Sequence, residues 1–232
     1  MAKNALKLDC DREASHNLNQ LLPCCLIDHI TVTAPTLEVG AEFVRQALGV
    51  TPQAGGEHPR MGTHNLLLRL GDSLFLEVIS SNPRAPVPTR PRWFALDTLR
   101  PNSAPTLSAW VARTSDIHAT ASACSETLGN IEPMTRGALN WLITIPTDGS
   151  LPLNGIAPVL IEWQTEVHPA AKLQDHGLSL ASLELFHPEP ERISRLLQSI
   201  GLEGTISVSP LRGERSAYMV ARINTPLGLR LL

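Results

Sequence analysis

The alternation of apolar and polar positions first becomes regular at Leu26. β-Branched residues dominate Ile27 to Thr33, which reads as a strand. With a period of two, His29, Thr31 and Thr33 share one face, and Ile30 and Val32 share the other. Pro35 stops the strand and Thr36 suits the N-cap of a helix. The period then changes: Gly40, Phe43, Val44, Ala47 and Leu48 fall at helical spacing, and Gly49 closes the run. Thr51 to Met61 carries Pro52, Gly55, Gly56 and Pro59 and reads as a loop. The glycine pair is a loop device there, not a phosphate cradle, because no strand feeds it and no helix follows at once. Thr63 to Leu70 and Leu74 to Ile79 read as strands joined by a Gly71-Asp72 hairpin turn.

The same order returns after Ser80–Pro105, a stretch with prolines at 83, 86, 88, 91, 101 and 105 that reads as a surface connection with a short helix over 92–99. Leu107 to Arg113 is a strand. Ser115 or Asp116 caps a helix with apolar positions Ile117, Ala121, Cys124 and Leu128, stopped by Gly129. Strands follow at Trp141–Ile145 and Val159–Trp163. A third start runs from a strand at Leu178–Phe186 to a helix with Pro190 at N1 and a clean face of Ile193, Leu196, Leu197 and Ile200. A hairpin of Tyr218–Ile223 and Leu229–Leu232 ends the chain. One unit cannot bury its own sheet face, so the units must pair. The expected fold class is α+β. An arm over 1–24 precedes two βαβββ modules (25–82 and 106–170, linker 83–105), and a shorter βαββ unit over 171–232 packs on the same domain.

Composition narrows the partners. Of 232 residues, 43% are hydrophobic and 18% charged, so a buried core is feasible. A net charge of −3, no basic stripe, four Trp and one Tyr argue against a nucleic-acid partner. No apolar run approaches a membrane span, and residues 1–20 hold no secretory apolar core, so the expectation is a cytoplasmic protein. Cys10, Cys24, Cys25 and Cys124 form no C-x-x-C pair and read as reduced thiols.

Candidate chemistry sits on the strands. Glu77 lies mid-strand among apolar residues, and a buried carboxylate there needs a metal, a cation or a donor unless its face is solvated. Glu162 repeats the pattern. His29 reads either as a hydrogen-bonded pocket histidine or as a ligand. Asn65 has opposite parity to Leu66, Leu68 and Leu70 and is the expected pocket group, with Arg69 on the same parity able to meet an anionic substrate. His58 and His168 lie in Pro-flanked loops and carry little weight. Trp110, Trp141 and Trp163 read as core. No G-x-S-x-G and no cysteine in a nucleophile setting is present.

Ile27-Asp28-His29-Ile30, Gly62-Thr63-His64-Asn65, Leu76-Glu77 and Pro158-Val159-Leu160-Ile161-Glu162-Trp163, in this order and spacing, resemble the glyoxalase-like domain family. That family belongs to the vicinal oxygen chelate superfamily, with glyoxalase I, extradiol dioxygenases and the fosfomycin and bleomycin resistance proteins. The resemblance spans about residues 26–200. It implies paired βαβββ modules forming a curved mixed sheet around a cup, with a metal site inside built from strand-borne His and Glu. Carried over, His29, Glu77 and Glu162 would hold a divalent ion (Zn, Mn, Fe, Mg or Ni), Glu77 and Glu162 would also serve catalysis, and Asn65 and Arg69 would meet the substrate. The fourth ligand place falls on Ala109, which cannot ligate. The implied function is a metal-dependent isomerase, lyase or dioxygenase acting on a small oxygen-rich substrate. The alternative is a non-catalytic small-molecule binding protein using the same cup, which Ala109 favours. The chain is compatible with a homodimer.

Overall fold

The computed structural model describes residues 24–211 and 216–232. The expected arm lies outside them except for Cys24. The first module is β1 (Cys25–Thr33), α1 (Leu37–Leu48), β2 (Gln53–His58), β3 (Thr63–Gly71) and β4 (Leu74–Ser81). The second is β5 (Thr106–Arg113), α2 (Ile117–Ala123), β6 (Asn130–Arg136), β7 (Leu139–Ile145) and β8 (Val159–Trp163). Their strands join in one curled mixed sheet, in the order β2-β3-β4-β1-β5-β8-β7-β6. The α+β class, the paired βαβββ modules and the curved sheet expected from the sequence are therefore present.

Local chemistry fixes helix α1 as read. Thr36 Oγ1 accepts from Val39 N at 3.3 Å, and left-handed Gly49 donates its N–H to Arg45 O. Helix α2 stops at Ala123, short of the expected Leu128, where Cys124 turns extended. Two strands depart from the reading. Gln53–His58 is a strand, not a loop: it has little apolar character, and its backbone pairs with β3 across a bulge between Ala54 and Glu57. β6 carries Pro133, which an edge strand tolerates. Strands β2 and β6 are the two ends of the order, and curling brings them together, so that Arg60 Nη1 donates to Pro133 O at 2.9 Å.

The C-terminal unit comprises β9 (Ser179–His187), α3 (Pro190–Ser199), β10 (Leu202–Glu203), β11 (Ile206–Pro210), β12 (Tyr218–Thr225) and β13 (Gly228–Leu231). It is not a shortened copy of the other two. Its sheet runs β11-β9-β12-β13, with the first strand inside the sheet, while β10 adds to β1. The likeness lay in element order, not in wiring. Leu183, Ile193 and Leu196 join Ile30, Val32 and Val44 in one apolar core on the outer face of the large sheet.

A second core fills the inner face, where Ile79, Val111, Trp141 and Ile161 meet Trp93 and Phe94. The proline-rich connection is therefore not a plain surface loop, because its centre is folded into the cup. A 3₁₀ turn over Leu96–Thr98 stands in place of the helix expected over 92–99. Cys25 and Cys124 are thiols, and burial pushes Cys25 up to about 11. Cys10 lies outside the described residues. Among the described residues no helix is long and apolar enough to cross a membrane.

Candidate functional site

The cup holds a small cavity of about 40 Å3 that opens to solvent. Five strands and one bulge place its polar residues. On β1, the pairing with β5 shifts register between Ile27 and His29. Ile27 and Ile30 both join the outer core, so Asp28 and His29 project together to the inner side, against the period of two. His29 pairs with Phe75 across the β1–β4 ladder and stacks on its ring at 4.4 Å between centroids.

Asp28 is fully buried and collects four contacts. His29 Nδ1 lies 2.7 Å from Oδ1, while Trp163 Nε1 and His168 Nε2 each lie 2.9 Å from Oδ2 and Arg113 Nη1 lies 3.4 Å away. Burial alone would push this carboxyl up. The hydrogen bonds from His168 and His29 outweigh it and hold Asp28 well below the usual carboxylate range. An ionised carboxylate only accepts, so both imidazoles present an N–H to it. His168 Nδ1 in turn accepts from Ala170 N at 3.2 Å, which fixes its tautomer. The same logic leaves His29 Nε2 turned into the cup, 3.8 Å from Glu77 Oε2.

From Glu77 the polar row continues. Asn65 Nδ2 donates to Glu77 Oε1 at 2.7 Å, and Thr31 Oγ1 donates to Oε2 at 3.4 Å. Asn65 Oδ1 accepts from Gly56 N at 2.8 Å and from Arg136 Nη1 at 3.2 Å. Arg136 Nη1 also lies 3.4 Å from His58 Nε2, and His58 Nδ1 lies 3.1 Å from Thr63 Oγ1. Burial first, then the charge of Arg136, lowers the His58 pKa to about 3. The glycine pair makes room for this row. A Cβ on Gly55 would lie 2.2 Å from Asn65 Oδ1, and one on Gly56 would lie 2.8 Å from Arg136 Cδ. Gly55 and Gly56 are thus close-approach positions within β2.

The opposite wall is apolar. Trp93, Phe94, Trp141, Ile143, Ile161 and Trp163 line it. Ala109, the missing fourth ligand place, also lies in this inner cluster. His29, Glu77 and Asn65 come together as the sequence suggested. Glu162 does not join them. Trp163 and Ile161 occupy the inner face of β8, and Glu162 points to the other side, where its Oε2 accepts from Ile117 N at the start of α2, at 2.9 Å. Strand parity says which residues share a face; it does not say which face is the cup. Arg69 is likewise elsewhere: it meets Asp72 and the Leu173 carbonyl at the far end of β3.

These donors do not fit the divalent ion expected of His29, Glu77 and Glu162. His29 and Glu77 are the remaining pair, Glu77 is already held by Asn65 and Thr31, and the row ends in a guanidinium. Among the described residues no group of three or more His, Cys, Asp or Glu could hold a metal.

Sequence reasoning missed Asp28, because the bulge breaks the period, and Arg136, because β6 was not foreseen. A signal for β6 existed. Gly137-Ala138 separates the paired residues Arg136 and Leu139 by two residues, with Gly137 at φ 58°, as a tight hairpin turn requires.

Residues 27–201 match the family described as a glyoxalase-like domain. Among solved structures, a hypothetical protein from Staphylococcus aureus aligns at 14% identity over 86% of this chain and 80% of that one, with a TM-score of 0.52, a likeness of fold. A methylmalonyl-CoA epimerase from Streptomyces coelicolor aligns at 21% identity over 62% of this chain and 97% of its own, with a TM-score of 0.41. One from Mycobacterium tuberculosis aligns at 16% over 59% and 85%, with a TM-score of 0.37. No curated protein matches the sequence. The match to the glyoxalase-like domain takes in both modules and the start of the third unit, and the chain belongs to that family, within the vicinal oxygen chelate superfamily.

Proposed function

We propose that the protein is a small-molecule enzyme in which His29, oriented by Asp28, moves a proton to and from a carbon beside a substrate carbonyl. The observation that carries this reading is the buried Asp28–His29 pair with Nε2 aimed into the cup. The substrate C–H bond breaks, the proton goes to Nε2, and the electron pair moves onto the carbonyl oxygen as an enolate. Asp28 stabilises the imidazolium that forms. Return of the proton to the carbon gives an isomerisation, and loss of a neighbouring leaving group gives an elimination. These are the isomerase and lyase classes the family suggests, reached with the chain's own residues. No step is routed through a metal, because the donor set does not make a site for one.

The test is deuterium uptake at C3 of 2-oxobutyrate in D2O, followed by proton NMR. The wild type is expected to exchange faster than buffer, and His29→Gln is expected to lose at least about 100-fold of that rate. Exchange no faster than buffer would favour the second reading, a sequestering protein. The apolar inner face of the second module, with Ala109, Val111 and Ile161, supports that alternative.

A further inference from the structure

Arg136 is unlike the other arginines. Arg45, Arg60, Arg69, Arg84, Arg90, Arg92, Arg113, Arg192 and Arg222 each have a carboxylate partner. Among the described residues, those without one other than Arg136, namely Arg100, Arg195 and Arg230, are exposed. Arg136 is half-buried, lines the cavity and has no carboxylate within salt-bridge distance among the described residues. Its hydrogen-bond partners are both neutral, the Asn65 amide oxygen and His58 Nε2, and both engage Nη1. They hold the guanidinium in place without neutralising it. Nη2 and Nε have no acceptor among the described residues, and neither is a fully buried orphan.

A half-buried cation that meets Glu77 only through space, with Asn65 between them, is poorly compensated, and a fork of N–H donors matches a carboxylate best. We propose that Arg136 anchors a carboxylate, so that the cup takes a small, largely apolar carboxylic acid whose body lies against Trp93 and Trp141. This rests on reading the cup as a small-molecule site. Two further observations support it. Gly56 is bare where the Arg136 side chain crosses it, since a Cβ there would lie 2.8 Å from Cδ. His58 is held neutral by burial and by Arg136, so it accepts from the guanidinium without competing for the anion. A single arginine facing an aromatic wall suits a monoanionic carboxylate better than a phosphate dianion, which needs more donors.

Tryptophan fluorescence reads occupancy, because Trp93, Trp141 and Trp163 line the cavity while Trp110 lies in the outer core. Propionate, propionamide and inorganic phosphate would be titrated at constant ionic strength. Propionate is expected to bind at least about tenfold more tightly than either of the others. Arg136→Gln should weaken propionate about 10- to 100-fold, and Arg136→Lys should weaken it less. Equal binding of propionate and propionamide, tighter binding of phosphate, no propionate binding at 100 mM, or unchanged binding by Arg136→Gln would each overturn the proposal. If Arg136→Gln fails to fold, the acid–amide comparison on the wild type decides alone. His29→Gln separates this from the proposed chemistry: it should keep propionate binding while losing proton exchange.

Discussion

Asp28 and His58 are both buried polar side chains in the first module, and they meet burial in opposite charge states. Asp28 keeps its charge because donors surround it. The stability it lends is present above its unfolded value of about 3.9 and is lost as the pH falls through its lower folded value. His58 keeps its neutrality because burial and Arg136 penalise a second proton. Between an unfolded pKa of about 6.5 and the folded value of about 3, the unfolded chain binds a proton that the folded chain refuses. Stability must therefore fall as the pH drops through that window, by at most about 1.4 kcal/mol per pH unit from this residue. Urea unfolding of the wild type and His58→Gln at pH 4.5 to 7 checks it: the substitution is expected to flatten the slope by about one proton. Parallel slopes in the two proteins would mean that His58 takes up its proton in the folded state.

Among the elements, β1, β4, β8 and helices α1 and α3 were legible because their apolar periods are long and their caps explicit, while α2 was legible only at its start. Thr36, Gly49 and Pro190 mark helix ends with a mechanism attached. Strands β2 and β6 were not legible, because edge strands next to a functional row carry glycine, proline and polar residues instead of a buried stripe. That loss mattered for the site, since Gly55, Gly56 and Arg136 lie on those two strands. β8 was legible as a strand, but its inner face was assigned to the wrong parity. Trp163 reaches Asp28 from inside, and Glu162 caps α2 from outside. Glu162→Ala is accordingly expected to cost about 1 kcal/mol of stability, the scale of a helix-cap bond, and to leave propionate binding unchanged. Chemical denaturation paired with the fluorescence titration measures both. Loss of ligand binding with stability intact would return Glu162 to the cup.

At the scale of the molecule, the paired modules divide the work. The first supplies the polar row from Asp28 through His29, Glu77 and Asn65, and the second supplies an apolar wall and, from its far edge, Arg136. Curling of the sheet brings β6 beside β2, so the row closes only in the complete two-module cup. The C-terminal sheet contributes to the outer core and leaves the cavity untouched. The proton-transfer reading stands on one feature of this arrangement, the tautomer of His29. Long-range proton–nitrogen NMR of the 15N-labelled protein at pH 8 reads it directly. His29 is expected to carry its proton on Nδ1, shifted downfield by Asp28, with Nε2 unprotonated, and Asp28→Asn is expected to abolish this signature. A proton on Nε2 with a bare Nδ1 would contradict the proton-transfer reading.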